Sequence, residues 1–417
     1  MMTKFFSFIG DRRLWMFMGS GLIVSVAYID PGNWGTNIGA GADFNYDLLW
    51  VIWMASGMAM LFQYLSGKIG IVGYSLPDLV RMKVKNKFLV FIYWLFSEFA
   101  ILATDLAEFL GIVVALKLLF GIPLLWGAYV AVADVLLILV LTQKRFRVLE
   151  QAFVGFVAVI GLAFLYEVII SKPDFGQIML HSVKPILTKE TAFLAVGIIG
   201  ATVMPHALFV HSWLIKNKVM ELDMKDKQLA RKFHLFDNVV SLFIAGCINA
   251  AMLIMAAAAF YGLDNNVATL ESAYVTLAPL FGSFAAIIFA VALLSAGISS
   301  SVTGVLSGQA VMNGLMGFKI NPWVRRIVTR VINVIPLTIA ILLGVEPLNI
   351  LIYSQVVLSL LIPLPLIPII LFTAQKSVMG ELVNKKITTI FASLFASVIL
   401  AFNFYLLYLF FVVGVEL

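Results

Sequence analysis

The sequence YIDPGNW, at residues 28–34, interrupts the first long apolar segment of the chain. It places a carboxylate, a residue without an amide donor and a glycine in succession, which strongly disfavours a continuous helix. A second apolar segment is interrupted in the same way by GATVMPH at residues 200–206. The sequence therefore predicts two broken helices, each with a proline beside polar side chains.

The composition around these breaks is that of an all-α integral membrane protein. Of 417 residues, 62% are hydrophobic and 12% are charged, against roughly 25% charged in an ordinary soluble domain. Apolar segments of about 18 or more residues, long enough to cross the hydrocarbon core as helices, recur along the whole length. We expect a single transmembrane domain over residues 1–417. The net charge of +6 comes from basic residues in short loops, so we expect no nucleic-acid partner.

We predict eleven membrane spans, of which the first and the sixth are interrupted. They cover approximately residues 14–40, 47–70, 88–118, 124–142, 149–171, 191–215, 236–261, 273–316, 324–344, 347–372 and 388–413. If the N-terminus is cytoplasmic, 24 of the 28 basic residues lie inside, and only Lys117, Lys172, Lys184 and Lys189 lie outside. This bias predicts a multi-pass protein of the cell (inner) membrane with an extracytoplasmic C-terminus.

Two features of the chain have alternative interpretations. Residues 1–27 resemble a cleaved signal peptide, because Arg12 and Arg13 precede an apolar run. Cleavage would remove a span that the later alternation of loops requires, so we retain the first span. Cys247, the single cysteine, excludes an intrachain disulfide, and its apolar surroundings predict a packing role.

The two breaks lie five spans apart, which is the arrangement of an inverted repeat. The first repeat would cover about residues 14–171 and the second about 191–372, with an additional helix at about 388–413. In such transporters the substrate binds where the broken helices meet. Each proline could instead be a simple kink, as we expect for Pro336 or Pro363. Asp30 favours a functional break, because an acid at membrane depth is functional by default.

The residue types at the breaks indicate a metal ion. Asp30 and Asn33 offer hard oxygen ligands, Ala201 or its neighbours can offer a carbonyl, and Met204 offers a thioether sulfur. Sulfur contributes little to binding Ca²⁺ or Mg²⁺, so the mixture favours Mn²⁺, Fe²⁺ and later divalent metals. An isolated methionine in a membrane helix usually only packs, and that alternative stays open for Met204.

In several segments the chain resembles the natural resistance-associated macrophage proteins, a family of proton-coupled divalent metal transporters. The matching segments are DPGN at 30–33, ATDLAEFLG at 103–111, GATVMPH at 200–206 with His211, Thr303-Gly304 with Gly308-Gln309, and SQVVLS at 354–359. The resemblance implies the leucine-transporter-like fold, two inverted five-helix repeats plus an eleventh helix. It also implies that Asp30, Asn33, Met204 and the Ala201 carbonyl hold the metal, joined in some conformations by the Ala27 carbonyl and Gln355.

Three carboxylates of the third span form a second constellation. Glu98, Asp105 and Glu108 are spaced seven and three apart, so they fall within one sector of roughly 80° on a helix. Buried together, they would relay protons, be neutralised by ninth-span cations such as Arg325, Arg326 or Arg330, or do both. The resemblance assigns the relay to Asp105 and Glu108, with Arg325 and Arg326 as the arginine pair.

The histidines and one glutamine receive weaker assignments. His206 and His211 are five residues apart and do not share a helix face, so they do not form a chelating pair. His206 is a candidate proton-pathway residue along with Asp30, and Gln63 and His211 are candidate gating residues. For both histidines, a polar contact in a helix interface remains an alternative. His181 and His234 are expected in loops.

Three positions depart from the common family pattern. Ala207 stands where relatives commonly have asparagine, and Gly39 and Ile298 where they commonly have glutamine. We expect the metal to be transported substrate and not a resident cofactor, and the protein to function as a monomer with metal ions, protons and lipid as partners. During transport, residues 14–29 should swing away, being anchored only by a short tail.

Other functions remain as alternatives. A carrier of hydrated Mg²⁺ on the same scaffold would favour a site without sulfur, which Met204 does not fit. An intramembrane metalloprotease would need an HExxH helix, which the sequence lacks. A receptor would have no use for paired helix breaks that carry intramembrane acids.

Overall fold

The computed structural model of the protein describes residues 19–133, 146–219, 224–262, 270–271 and 282–414, and in these ranges the chain is all-helical. The first helices are α1 (Ser20–Ala27), α2 (Pro31–Phe44), α3 (Leu49–Val72), α4 (Leu76–Lys83), α5 (Lys87–Phe120), α6 (Leu124–Ala131), α7 (Phe146–Ser171) and α8 (Phe175–Val183). The later helices are α9 (Lys189–Val203), α10 (Pro205–Val219), α11 (Met224–Phe260), α12 (Ser283–Val311), α13 (Pro322–Leu342), α14 (Pro347–Leu361), α15 (Pro363–Thr373), α16 (Lys376–Met379) and α17 (Lys386–Tyr408).

Within the described residues, eight helical segments are long and apolar enough to cross a membrane. They correspond to predicted spans two, three, five, six, seven, eight, ten and eleven. The first predicted span is divided into α1 and α2, and residues 134–142 of the fourth lie outside the described residues. The ninth corresponds to α13, which contains three arginines, Arg325, Arg326 and Arg330. The protein is therefore a multi-pass membrane protein.

Close helix packing positions the two breaks inside the bundle. α5 packs along α12, α2 along α11, and α9 along α14. At Gly111 of α5, an added Cβ would lie 2.2 Å from Pro31, so glycine lets α5 approach the first break. At Gly200 of α9, an added Cβ would lie 1.9 Å from the carbonyl oxygen of Gln355 on α14. Both contacts leave no room for a side chain.

The expectation that the first helix is anchored only by its tail is wrong. Asp237 of α11 accepts hydrogen bonds from the backbone N–H groups of Gly19 (3.1 Å) and Gly21 (2.8 Å). At the other end of α1, the side-chain amide of Asn249 donates to the Tyr28 carbonyl at 2.7 Å. These contacts satisfy backbone groups that a short helix leaves without partners. Two side chains of α11 therefore hold both ends of α1.

Three further expectations are corrected. His234 lies in α11, and not in a loop, because α11 already begins at Met224 and runs for 37 residues. His181 lies in the short helix α8, with Nδ1 3.1 Å from Asp47. Cys247 is exposed on the surface of α11, and not packed inside.

The short helix α4, which lies between the second and third predicted spans, has an N-terminal cap that also forms an ion pair. Ser75 and Asp78 form a reciprocal capping box, and Asp78 accepts from Lys216 at 2.8 Å. Burial raises the pKa of Asp78, but the hydrogen bonds from Lys216 and Ser75 outweigh this, so the pKa is lowered. The ionised Asp78 is therefore stabilised in the folded protein.

Asp78→Asn should lower the melting temperature in detergent at pH 7 by a small amount, roughly 1–3 °C, because solvent screens this partly exposed pair. The stabilisation exists above the unfolded pKa and is lost as pH falls through the lower folded pKa. The difference between natural protein and variant should therefore shrink in acid. Thermal scans at neutral and acidic pH measure it, and an equal difference at both would contradict the ion-pair assignment.

Candidate metal centre

The first break is built by Asp30, which ends one helix and begins the next. Its backbone is extended (φ −69°, ψ 165°), and its carboxylate accepts the N–H of Asn33 at 2.8 Å as the N-cap of α2. Pro31 occupies the first helical position, where a missing N–H costs nothing. A carboxyl oxygen is thus held at a helix N-terminus, inside the bundle and fully buried.

The second break is a single residue, Met204, between α9 and α10. Its backbone has φ 24° and ψ 108°, a conformation that residues other than glycine rarely adopt. Pro205 begins α10 immediately afterwards, and Met204 is fully buried. Strain of this kind persists only where the surrounding structure imposes it, commonly at functional sites.

The prolines release one carbonyl at each break. In a helix, a carbonyl accepts from the N–H four residues later. Pro31 stands four residues after Ala27 and Pro205 four residues after Ala201, and proline has no N–H to donate. The two carbonyls that the resemblance implies as metal ligands are therefore those that the prolines leave without a helical donor.

The structure brings the predicted ligands of the two breaks into contact. The Asn33 side-chain NH₂ donates to Asp30 Oδ1 at 2.8 Å and to the Ala201 carbonyl at 2.9 Å. Both acceptors face one amide group that carries partial positive charge. Asp30 Oδ2 and Gln355 Oε1 are buried without a hydrogen-bond partner in the described residues. Oxygen acceptors thus exceed the available donors, which is the imbalance that a cation would relieve.

Gln355 reaches the same junction from α14. A Cβ at Gly32 would lie only 2.0 Å from Gln355 Nε2, so the amide rests directly on the first turn of α2. Its Nε2 donates to the Ser354 hydroxyl at 3.0 Å, which leaves its oxygen as the unpaired atom. Within the described residues, no group of three or more His, Cys, Asp or Glu side chains could hold a metal ion. An ion here would need the mixed carboxylate, amide, carbonyl and thioether ligands.

The three carboxylates of α5 have different surroundings. Glu98 accepts hydrogen bonds from both Nη atoms of Arg325, at 3.1 and 2.6 Å. Asp105 pairs with Arg326, accepts from the Asn333 amide at 2.8 Å and lies 3.8 Å from Arg330 Nη1. The predicted arginines are thus divided between Glu98 and Asp105. Arg330, one of the expected neutralising cations, and Asn333, which was not singled out from the sequence, complete the surroundings of Asp105.

Glu108 is the exception on this face. Both of its oxygens are buried without a hydrogen-bond partner in the described part of the chain. Gly304 of α12 makes room for it, since a Cβ there would lie 3.1 Å from Glu108 Oε2. One turn later, Gly308 makes room for Arg325 in the same way. This explains the paired glycines of α12.

The surroundings of Asp105 and Glu108 imply different protonation states. An unpaired buried carboxylate is costly, so Glu108 is expected to be neutral, whereas Asp105 has cations and donors that stabilise its anion. A small cavity lined by Asp105, Arg325, Arg326 and Thr329 lies beside the pair. One acid holding a proton next to one acid that has released it is a suitable arrangement for proton transfer.

The two histidines of α10 point to different helices, as their spacing predicts. His206 Nδ1 lies 3.1 Å from the Thr104 hydroxyl of α5, which itself donates to the Ala100 carbonyl. His211 Nδ1 lies 2.7 Å from Gln63 Oε1 of α3. His206 therefore lies between the metal junction and the acidic face of α5.

Two of the positions that depart from the family pattern lie among apolar groups. At Gly39, an added Cβ would meet Ile352 at 3.2 Å and Leu194 at 3.5 Å. Ile298 is partly buried against the hydrophobic core, and Ala207 is fully buried. None of these three residues offers a side-chain amide at its position.

Comparison with known proteins finds relatives that match almost the whole chain. The model of the family described as natural resistance-associated macrophage protein-like matches residues 21–409. The divalent metal cation transporter MntH of Deinococcus radiodurans is 43% identical over 401 residues, covering 96% of this chain and 91% of the relative. MntH of Listeria monocytogenes is 41% identical over 414 residues, covering 97% and 91%.

Solved structures agree in fold. A crystal structure of a variant of the Eremococcus coleocola manganese transporter matches with a TM-score of 0.86 at 31% identity, covering 97% of this chain and 89% of that one. Mhp1, a nucleobase-cation-symport-1 family transporter, matches with a TM-score of 0.62 at 14% identity, covering 94% and 88%. The second likeness is one of fold alone.

Proposed function

Because the chain belongs to the natural resistance-associated macrophage protein-like family, we propose that it is a secondary active transporter that imports divalent transition-metal ions, Mn²⁺ and Fe²⁺, together with protons by alternating access. It is a member of a transporter family and not an enzyme. The observation that carries the proposal is the contact of Asp30, Asn33 and Ala201 across two broken helices, with Met204 at the second break.

The proposed architecture is one transmembrane domain of eleven spans. Residues 14–171 and 191–372 would form two inverted five-helix repeats, and residues 388–413 an additional helix. The breaks at α1/α2 and α9/α10 support this, because each has a proline four residues after the carbonyl that it releases. The likeness to Mhp1 is consistent with a fold of this kind.

The proposed location is the cell (inner) membrane, with the N-terminus in the cytoplasm and the C-terminus outside. The distribution of basic residues supports this orientation. The partners are metal ions as substrate, protons and the lipid bilayer, and the monomer is the proposed functional unit. The proposed ligands all belong to one chain, so metal binding would require no second subunit.

Metal would enter from outside and bind ionised Asp30. To bind, the ion takes the position between Asp30 Oδ1 and the Ala201 carbonyl that the Asn33 NH₂ now occupies. Asn33 then turns its amide oxygen towards the ion. Met204 favours transition metals, because its sulfur is a ligand that Mg²⁺ and Ca²⁺ do not prefer.

Release to the cytoplasm would require α1 to move away from α11. That movement breaks the hydrogen bonds of Asp237 to the start of α1 and of Asn249 to the Tyr28 carbonyl. Protons would pass from Asp30 by way of His206 to Glu108 and Asp105. Glu98 with Arg325 forms an ion pair on the same face of α5, and Arg326 places a positive charge beside Asp105.

Glu108→Gln tests the proton step directly. Glutamine keeps the neutral form and the volume of protonated Glu108 but has no proton to release, so proton entry should fall at least about 10-fold. Mn²⁺ binding should be retained, because Glu108 is not among the proposed ligands. The measurement is Mn²⁺ uptake into proteoliposomes with internal pH recorded at the same time.

Glu167→Gln is the matched control. Glu167 is also fully buried without a hydrogen-bond partner in the described residues, but it lies on α7. This substitution should leave proton entry unchanged. Unaltered acidification by Glu108→Gln would remove Glu108 from the pathway. Absence of Mn²⁺ uptake by the folded natural protein would overturn the transporter assignment.

A further inference from the structure

Two histidines outside the metal junction lie side by side. The rings of His211 on α10 and His234 on α11 have centroids 5.0 Å apart and cross at 76°. Both side chains are almost completely buried. The proposed metal junction and the acidic face of α5 leave His234 without a role.

The hydrogen bonds of His211 determine which of its nitrogens carries the proton. Gln63 Nε2 donates to the Tyr28 hydroxyl at 2.9 Å, so Gln63 Oε1 is the atom that faces His211. An amide oxygen only accepts, and His211 Nδ1 therefore donates to it. Nε2 keeps its lone pair, and this nitrogen is buried without a partner in the described residues.

His234 is arranged in the same way with its nitrogens exchanged. Its Nε2 lies 3.3 Å from the Tyr64 carbonyl, which can only accept, so Nε2 carries the proton. Nδ1 keeps the lone pair and is likewise buried without a partner among the described residues. The ring stacks on Tyr64 (5.8 Å, 12°), and Gly67 leaves the space it occupies, since a Cβ there would lie 2.2 Å from His234 Nε2.

This is the hydrogen-bonding pattern of histidines that bind metal ions. Such a histidine donates one N–H to a carbonyl or carboxylate and presents the other nitrogen to the metal. An ion held roughly 2.1 Å from each nitrogen would place two imidazole centroids roughly 5 Å apart, which matches the observed separation.

The pair also lies in the right part of the transporter. His211 lies in α10, seven residues after Met204 and roughly 10 Å along the helix axis. This places it towards the last turn of α10, which carries Lys216 and Lys218. Gln63 connects it to Tyr28, next to the first break. In the proposed orientation this is the cytoplasmic half, where α1 must move for the ion to leave.

We propose that His211 and His234 form a second, transient binding site for the transported transition-metal ion on its way to the cytoplasm. This proposal rests on the proposed transport function. Imidazole nitrogen suits Mn²⁺, Fe²⁺ and later divalent metals and is not a preferred ligand of Mg²⁺ or Ca²⁺. Two protein ligands bind an ion weakly, and an intermediate site must release the ion as readily as it accepts it.

Pulsed electron paramagnetic resonance of bound Mn²⁺ tests the site, because ¹⁴N modulation reports imidazole nitrogen coordinated to the ion. The full chain carrying Asp30→Asn and Met204→Ala, which removes the main site, should bind Mn²⁺ weakly and show imidazole modulation. Adding His234→Phe, which keeps a ring against Tyr64, should abolish the modulation and weaken this binding at least about 10-fold. His211→Phe should do the same.

His181→Phe, in the outer helix α8, is the matched control and should change neither signal. The chain has only four histidines, so His206→Gln completes the assignment and should leave the modulation in place. Absence of imidazole modulation before any histidine is replaced would overturn the proposal, whatever the variants do. Mn²⁺ uptake by the natural protein is measured in parallel. Normal uptake by the natural protein with no modulation in the Asp30→Asn, Met204→Ala variant would overturn only the second site, whereas absence of uptake by the folded natural protein would overturn the transport function.

Discussion

Asp30→Asn should reduce Mn²⁺ uptake on the order of 100-fold or more while leaving the protein folded. Asp30 is the one carboxylate among the proposed ligands, and removing one partner of a buried charge pair costs about 3–5 kcal/mol. Asparagine is as good an N-cap as aspartate, so the hydrogen bond to the N–H of Asn33 that begins α2 can persist. The loss should therefore appear in metal affinity and transport, and not in the melting temperature.

Asp30→Ala separates the two roles of this side chain. It removes both the charge and the cap, so the melting temperature should now fall as well, by the equivalent of about 1 kcal/mol. Mn²⁺ binding by titration calorimetry and thermal scans in detergent measure the two effects. Mn²⁺ affinity of Asp30→Asn within a few-fold of the natural protein would place the metal elsewhere.

Gly200→Ala should disrupt the junction without touching any ligand side chain. The new Cβ would lie 1.9 Å from the Gln355 carbonyl oxygen and 2.9 Å from the Ser359 nitrogen, both backbone atoms that cannot rotate away. Alanine favours a helix over glycine by about 1 kcal/mol, but the clash opposes this gain and should cost about 1–3 kcal/mol or more. Displacing α9 from α14 also moves the Ala201 carbonyl away from Asn33, so Mn²⁺ uptake should be lost.

Gly197→Ala is the control for this prediction. It lies one turn earlier on α9, and its Cβ would meet three methyl groups, those of Thr36 at 3.0 Å, Val356 at 3.7 Å and Ile352 at 3.8 Å. These side-chain atoms can give way, so stability and uptake should change little. Gly200→Ala with a normal melting temperature and normal uptake would show that the packing of α9 on α14 does not hold the site.

The sequence predicts the breaks well because their causes are local. Proline lacks an N–H and glycine lacks a side chain, and both effects act within one helical turn. The carbonyls of Ala27 and Ala201 could also have been predicted from local spacing, since each stands four residues before a proline. Asp30 was recognisable as a candidate site residue because acidic residues within membrane spans are rare and usually functional.

Contacts between distant helices were much harder to predict. Arg325 and Arg326 are neighbours in sequence, yet one pairs with Glu98 and the other with Asp105. The spacing of Arg326, Arg330 and Asn333 by four and three residues was an available sign that they share a face of α13. Nothing local indicated that Gly304 would lie against Glu108, because that contact depends on how α5 and α12 cross.

The errors at α11 have one physical cause. Charged residues from Lys225 to Lys232 suggested a loop, but α11 continues through them and carries His234 and Asp237 into the bundle. A helix can extend beyond the membrane at no cost from its charged residues, which remain in water. The anchoring of α1 by Asp237 followed from that extension and could not be read from α1 itself.

The central claim is that Met204 gives the junction its preference for transition metals. Uptake of Mn²⁺ against equal concentrations of Mg²⁺ and Ca²⁺ in proteoliposomes, for the natural protein and Met204→Leu, tests it most directly. Leucine conserves the volume at that position and removes only the sulfur. The account predicts strong preference for Mn²⁺ in the natural protein and a much weaker one in Met204→Leu; equal transport of Mg²⁺ and Mn²⁺ by the natural protein would contradict it.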